Sequence, residues 1–193
     1  MNIHTIILAA GKGTRMNTNL PKVMQPLGGH TLISHVIKTA KTNSKDVTVV
    51  VGHQKDLLKE HIASIDLNIQ TVDQNEQLGT AHAVKTAAHL IQDDEKILVL
   101  YGDVPLISNE TIEALISSGQ ECTLLSMMLN DPTGYGRIIT NEESLALRII
   151  EQKDASSEER KIQEVFTGIL LIDGSLLKPV SYTHLTLPTT PYV

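Results

Sequence analysis

The segment from Ile3 to Lys22, I-H-T-I-I-L-A-A-G-K-G-T-R-M-N-T-N-L-P-K, constrains the fold of this chain more than any other. Ile3, Ile6, Ile7 and Leu8 form a run too apolar and too short for an exposed, alternating edge, and it breaks at Ala9-Ala10-Gly11. A buried parallel strand ending in a loop of small residues is the commonest way for an α/β sheet to open a ligand site. Ala9 and Ala10 let a ligand lie against the main chain, Gly11 and Gly13 permit tight turns, and the amides so exposed can face phosphate oxygens. Lys12, Arg15 and Lys22 add three cations. The spacing is neither G-x-G-x-x-G nor G-x-x-x-x-G-K-[ST], so neither the dinucleotide fingerprint nor the Walker loop applies. Taken alone, the stretch also reads as an ordinary strand, glycine turn and surface charges.

Downstream, strands and helices alternate, which points to a parallel layered sheet. Thr31 to Lys41 reads as a helix with Leu32, Val36, Ile37 and Ala40 inward. Asp46 to Val51 is a strand by its β-branched content, closed by Gly52-His53. Asp56 to Ile65 suits a helix facing Leu57, Leu58 and Ile62 inward, and Leu67 to Val72 a short strand. Residues 73 to 83, D-Q-N-E-Q-L-G-T-A-H-A, then lead into an Ala-rich helix, Ala81 to Leu90. Thr80 either caps that helix or meets a ligand with its hydroxyl. Gln74 and Gln77 carry the amide donor and acceptor that can read the edge of a planar base, although solvated loop glutamines are common. His82 and His89 read as surface residues, since their spacing makes no zinc motif.

The second sharp signal is the apolar strand I-L-V-L-Y after Lys96, followed by Gly102-Asp103-Val104-Pro105. A carboxylate just beyond a central strand is placed either to hold Mg²⁺ against phosphate oxygens or to serve as a turn residue. Ser108 to Ile116 reads as a helix with Ser108 as its N-cap. Strands follow at Glu121 to Leu129, after the Pro-Gly turn of Asp131 to Ile139, at Ala146 to Glu151 and at Gln163 to Ile172. Gly134 and Gly136 allow close approach of a flat or hydroxylated ligand, and Arg137 either balances phosphate or pairs on the surface. Glu151 can accept hydroxyl hydrogen bonds from a sugar, with Lys153 near its phosphate. These later strands read as an antiparallel, substrate-binding subregion of the same domain.

The net charge of −6 gives no basic surface for nucleic acid. Aromatic residues make up 3% and Trp is absent, so the core is aliphatic. Cys122, the single cysteine, excludes an internal disulfide and sits in apolar C-T-L-L, where a buried thiol is expected. No apolar run approaches 18 residues, so no membrane insertion is expected, and a cytoplasmic setting is the default.

L-A-A-G-K-G-T-R-M at 8 to 16, L-P-K at 20 to 22, E-Q-L-G-T at 76 to 80, Y-G-D-V-P-L at 101 to 106, G-Y-G-R-I at 134 to 138 and T-G-I-L at 167 to 170 occur in order across most of residues 3 to 172. In these marks the chain resembles the N-terminal uridylyltransferase region of the bacterial bifunctional N-acetylglucosamine-1-phosphate uridylyltransferase/glucosamine-1-phosphate acetyltransferase family. The resemblance implies an α/β, Rossmann-like nucleotidyltransferase fold, a mostly parallel central sheet flanked by helices with the antiparallel subregion. It implies that Leu8, Ala9, Ala10 and Gly11 bring backbone groups to the nucleotide and that Gln74, Gly79 and Thr80 frame uridine. Arg15 and Lys22 would approach the phosphates as catalytic residues, Asp103 would bind Mg²⁺, and Tyr101, Gly102, Gly136 and Glu151 would contact the sugar. The implied partners are UTP, N-acetylglucosamine 1-phosphate and pyrophosphate. The alternatives are a related sugar-1-phosphate nucleotidyltransferase of different specificity, or a catalytically silent nucleotide-sugar binding module.

Two departures accompany the resemblance. Phe166 precedes Thr167-Gly168 where the family characteristically has Asn, and an aromatic ring cannot make an amide's hydrogen bonds. Beyond about Leu177 the family continues with a second metal ligand, usually Asn, and a left-handed β-helix bearing the acetyltransferase. Here residues 181 to 193, S-Y-T-H-L-T-L-P-T-T-P-Y-V, resemble translated adaptor or read-through sequence, irregular by their Thr and Pro content. The expectation is an incomplete nucleotidyltransferase domain over 1–177, an irregular tail over 178–193, and a monomer where full-length family members are trimers.

Overall fold

In a computed structural model, residues 2–13, 18 and 20–177 are described. They fall into two compact units, one formed by the chain up to Thr123 together with the chain from Leu170 on, the other by Leu124–Ile169. Arg15 and the 178–193 tail lie outside the described residues.

The first unit begins with β1 (Ile3–Ala9), in which every residue is buried. A two-strand hairpin follows, β2 (Pro26–Leu27) and β3 (His30–Thr31), and then α1 (Leu32–Asn43), β4 (Asp46–Val51), α2 (Lys55–Ile65), β5 (Gln70–Asp73), α3 (Thr80–Ala87), β6 (Lys96–Tyr101) and α4 (Asn109–Ser117). Strand order is β5-β4-β1-β6, all parallel, with Leu8 opposite both Val50 and Tyr101. The unit is completed by Leu170–Asp173 of β10 (Glu164–Asp173), antiparallel to β6.

β1 reads as a continuous apolar run because it is central and covered on both faces. Ile6, Leu8 and Ala10 pack with Ala83, Val84 and Ala87 of α3, and the alternating pleat turns Ile7 and Ala9 to the face covered by α1. Burying each large aliphatic side chain contributes about 1.5–3 kcal/mol. Among the described residues no helix is long and apolar enough to cross a membrane.

Several sequence-based boundaries shift for identifiable reasons. α1 buries Ile33, Val36, Ile37 and Ala40, while Leu32, expected inside, lies at the margin of that stripe. Leu58 and Ile62 are buried in α2, but Leu57, one position of rotation away, is 41% exposed. β5 begins at Gln70 rather than Leu67, whose side chain is 86% exposed. Thr80 is the first residue of α3, not its cap; the N-cap is Gly79, which has no side chain to give.

Capping chemistry does hold at α1, where Thr31 Oγ1 accepts from the Ser34 amide at 3.3 Å and lies 2.8 Å from His61 Nε2. Thr31→Ala therefore lowers stability by about 1 kcal/mol, read from the midpoint of urea unfolding; an unchanged midpoint would contradict the cap.

The second unit contains most of β7 (Cys122–Met128), then β8 (Arg137–Thr140), β9 (Ala146–Ile150) and the Glu164–Ile169 part of β10. β8 pairs antiparallel with β9, Ile138 facing Ile149, and with β10 at Val165. Thr167 Oγ1 donates to Leu125 O at 2.7 Å, tying β10 to β7. The antiparallel subregion expected after residue 120 is thus present. Cys122, however, is exposed at the start of β7 rather than buried. Its apolar neighbours Leu124 and Leu125 do not carry it inward, because only part of that strand is covered.

Candidate active site

Because β1, β4, β5 and β6 run parallel, the loops at their carboxyl ends share one edge of the first unit. Their approach is close. The Gly102 amide donates to Leu8 O at 2.9 Å, continuing the β1–β6 ladder one residue past β6. The Gln74 amide donates to Val51 O at 2.7 Å, and the His53 amide to Ala10 O at 3.3 Å.

Glycine is required where these loops touch. A Cβ on Gly52 would sit 2.8 Å from both Cβ and O of Ala10, and 3.0 Å from Gln77 Nε2. At Gly13, φ is +58° and a Cβ would strike Lys22 Cβ at 2.8 Å. Lys22 is thereby laid across the first loop, and its Nζ reaches Asp103 Oδ2 at 2.5 Å. The first loop and the loop after β6, read separately in the sequence, are joined by this ion pair.

The pair is wet enough to exchange partners, with side chains 46% and 26% exposed for Lys22 and Asp103. A partly exposed carboxylate at a strand end, beside a lysine, has the oxygen chemistry to hold a divalent cation together with phosphate oxygens. The residues present therefore fit a Mg²⁺ shared with a substrate.

On the far side of β1, Gln74 is 4% exposed. Its Nε2 lies 3.2 Å from Gly79 O and 2.9 Å from His82 Nδ1. Gln77, by contrast, is exposed, and its Nε2 donates to Gln74 O at 3.3 Å. Tyr101 reaches from the end of β6 to Thr80, their hydroxyl oxygens 3.5 Å apart. Asp73, next to Gln74, is bound by Lys59 Nζ at 2.5 Å and Lys55 Nζ at 3.0 Å. Those hydrogen bonds, Lys59's first, hold its carboxyl below the usual carboxylate range and anchor α2 to the end of β5.

Residues 5–162 match the family model described as the MobA-like NTP transferase domain. The chain belongs to that family. Among curated proteins, it is similar to bifunctional protein GlmU of Marinobacter nauticus, 44% identical over 179 residues. The match takes in 91% of this chain and 39% of that protein, so the chain spans about two-fifths of the length of this relative. Among solved structures, a UDP-glucose pyrophosphorylase complexed with UDP-glucose superposes with a TM-score of 0.76 at 20% identity, covering 94% of this chain and 80% of that one. A putative glucose-1-phosphate thymidylyltransferase from Bacillus anthracis, in complex with a sucrose, gives 0.74 at 19% identity, covering 94% and 75%. At that identity the two structures establish the fold, and they agree with the mixed sheet flanked by helices.

Of the residues expected at the site of this MobA-like NTP transferase domain, Leu8, Ala9, Ala10, Gly11, Lys22, Gln74, Gly79, Thr80, Tyr101, Gly102 and Asp103 lie at the carboxyl edge of the parallel strands. Arg15 is outside the described residues. Gly136 and Glu151 come together within the second unit: a Cβ on Gly136 would meet Glu151 Oε1 at 3.6 Å and Ile149 Cγ2 at 3.0 Å. The Phe166 amide donates to Gly136 O at 2.9 Å, so the position that departs from the family pattern is bonded to the same glycine.

Arg137 does not pair on the surface, one of the two roles the sequence offered. It is 1% exposed, with Nη2 donating to Gln152 Oε1 at 2.6 Å and Arg160 O at 3.4 Å, and Nη1 to Tyr135 O. Sequence reasoning missed the contact of Gly52 with Ala10 and the bond from Gln74 to His82. The first was open to inference, since G-H after V-V-V marks a strand end beside β1; the second depended on how the loop folds back.

Proposed function

We propose that this chain transfers a uridylyl group from UTP to N-acetylglucosamine 1-phosphate, giving UDP-N-acetylglucosamine and pyrophosphate in the cytoplasm. The observation that carries the reading is the Lys22–Asp103 contact at the shared edge of β1 and β6, which puts a cation, a carboxylate and a small-residue loop in one place. The 44% identity to a GlmU protein and the ordered motifs favour this sugar phosphate over related ones.

The sugar phosphate is already anionic, so no general base is needed. One of its oxygens attacks the α-phosphorus of UTP in line, an O–P bond forms, and the bond to the β-phosphate oxygen breaks to release pyrophosphate. Repulsion and alignment are the obstacles. The backbone of Leu8 to Gly11 lets the nucleotide lie close, Gln74, Gly79 and Thr80 frame the base, and Lys22 with Arg15 counters phosphate charge. Asp103 would hold Mg²⁺, which supplies Lewis-acid neutralisation of the phosphate oxygens. By the resemblance, Tyr101 and Gly102 in the first unit, and Gly136 and Glu151 in the second, would be the residues that contact the sugar.

Pyrophosphate release across UTP, dTTP and GTP, each against several sugar 1-phosphates with Mg²⁺, tests the reading. UTP with N-acetylglucosamine 1-phosphate is expected to give the highest rate. A clear preference for another pair defeats it, and tight UTP binding without turnover assigns a binding module instead.

A further inference from the structure

Buried Gln74 and half-buried His82 form a hydrogen-bonded pair whose geometry goes beyond the framing of the base. The Gly79 carbonyl can only accept a hydrogen bond, so the atom of Gln74 that lies 3.2 Å from it must be the amide nitrogen. The second proton of that nitrogen points to His82 Nδ1 at 2.9 Å. With both donors engaged, Oε1 is the atom of the carboxamide that remains, and it can only accept. Gln74 is 4% exposed, so an amide flip would put an acceptor against the Gly79 carbonyl and leave buried groups unpaired.

We propose that His82 is a specificity-determining positioning residue: its Nδ1 holds Gln74 so that Oε1 selects a base with a ring N–H donor. Uracil offers such a donor at N3; cytosine offers a bare acceptor at the same position. A fixed acceptor thus favours uracil and leaves cytosine's N3 facing an oxygen. This inference rests on the nucleotide-site reading above. Elsewhere on α3, Thr86 Oγ1 donates to the backbone of His82, and Ala83 and Val84 face the core.

The test is calorimetric titration of the full chain with UTP and with CTP, in the presence of Mg²⁺. The parent is expected to prefer UTP. His82→Leu weakens UTP binding about tenfold and leaves CTP nearly unchanged, whereas His82→Asn, which restores an acceptor near the position of Nδ1, recovers the preference. A merely structural role would weaken both nucleotides together or leave their ratio intact, and either result overturns the proposal. If the leucine variant fails to fold, nitrogen NMR of the parent decides: Nδ1 is expected to be the unprotonated nitrogen of the neutral ring, and a ring with its proton on Nδ1 overturns the proposal. A parent that binds no UTP sinks the nucleotide site itself, an outcome distinct from an undisturbed UTP preference in the leucine variant.

Discussion

Asp103→Asn lowers Mg²⁺-dependent turnover by about 100-fold or more while leaving the fold in place. Asparagine keeps the shape of the side chain and removes the charge, so it loses hold of a cation and of Lys22, 2.5 Å away, in the same step. Loss of one preorganised charge at a reacting phosphate costs on the order of 10²–10³ in rate. The stability cost is small because the ion pair is solvent-accessible, and such pairs contribute about 0–1 kcal/mol. The check is a Mg²⁺ titration of pyrophosphate release for both proteins at matched circular dichroism. Superimposable Mg²⁺ curves would remove Asp103 from the site.

Gly52→Val and Gly11→Ala are expected to separate scaffold from ligand contact. At Gly52 the added carbon would lie 2.8 Å from the backbone oxygen of Ala10, and no rotamer change relieves a clash with backbone. The cost is about 1–3 kcal/mol, and at about 2–4 °C per kcal/mol for a chain of this size the melting temperature falls by several degrees. Nucleotide affinity falls with it, because the displaced segment is the Ala10–Gly11 backbone. Gly11 has open space at its Cβ position, so alanine there leaves melting within about 0.5 kcal/mol of the parent and weakens only the nucleotide. Calorimetry and thermal unfolding on both variants read the two effects separately. Full UTP affinity in Gly11→Ala would mean that no ligand lies against that loop.

The legible parts of this fold were those governed by local chemistry. β4 is found over Asp46–Val51 as its β-branched residues indicate, and Ser108 caps α4, its Oγ accepting from the Thr111 amide at 3.2 Å. Orientation around a helix was less legible. Leu32 and Leu57 are as apolar as their buried neighbours, and only the direction in which the sheet lies distinguishes Leu57 from Leu58. Cys122 and Arg137 were misjudged in opposite directions for one reason, because residue type states what burial would cost and not whether a partner is present. Arg137 is tolerated inside by Gln152 and two backbone carbonyls that lie 2, 15 and 23 positions away in mixed order along the chain.

The candidate site divides the same way. The strand, the Ala-Ala-Gly loop, the glycine before Asp103 and the paired glutamines could all be named from the sequence, since apolar periodicity and turn chemistry are local properties. That Lys22 bridges Gly13 to Asp103, that Gly52 abuts Ala10, and that His82 bonds to Gln74 could not be named. The Lys22–Asp103 and Gly52–Ala10 contacts join segments from different strand ends, which parallel pairing in register aligns only after the sheet has formed, whereas the Gln74–His82 bond depends on how one loop folds back onto its own helix.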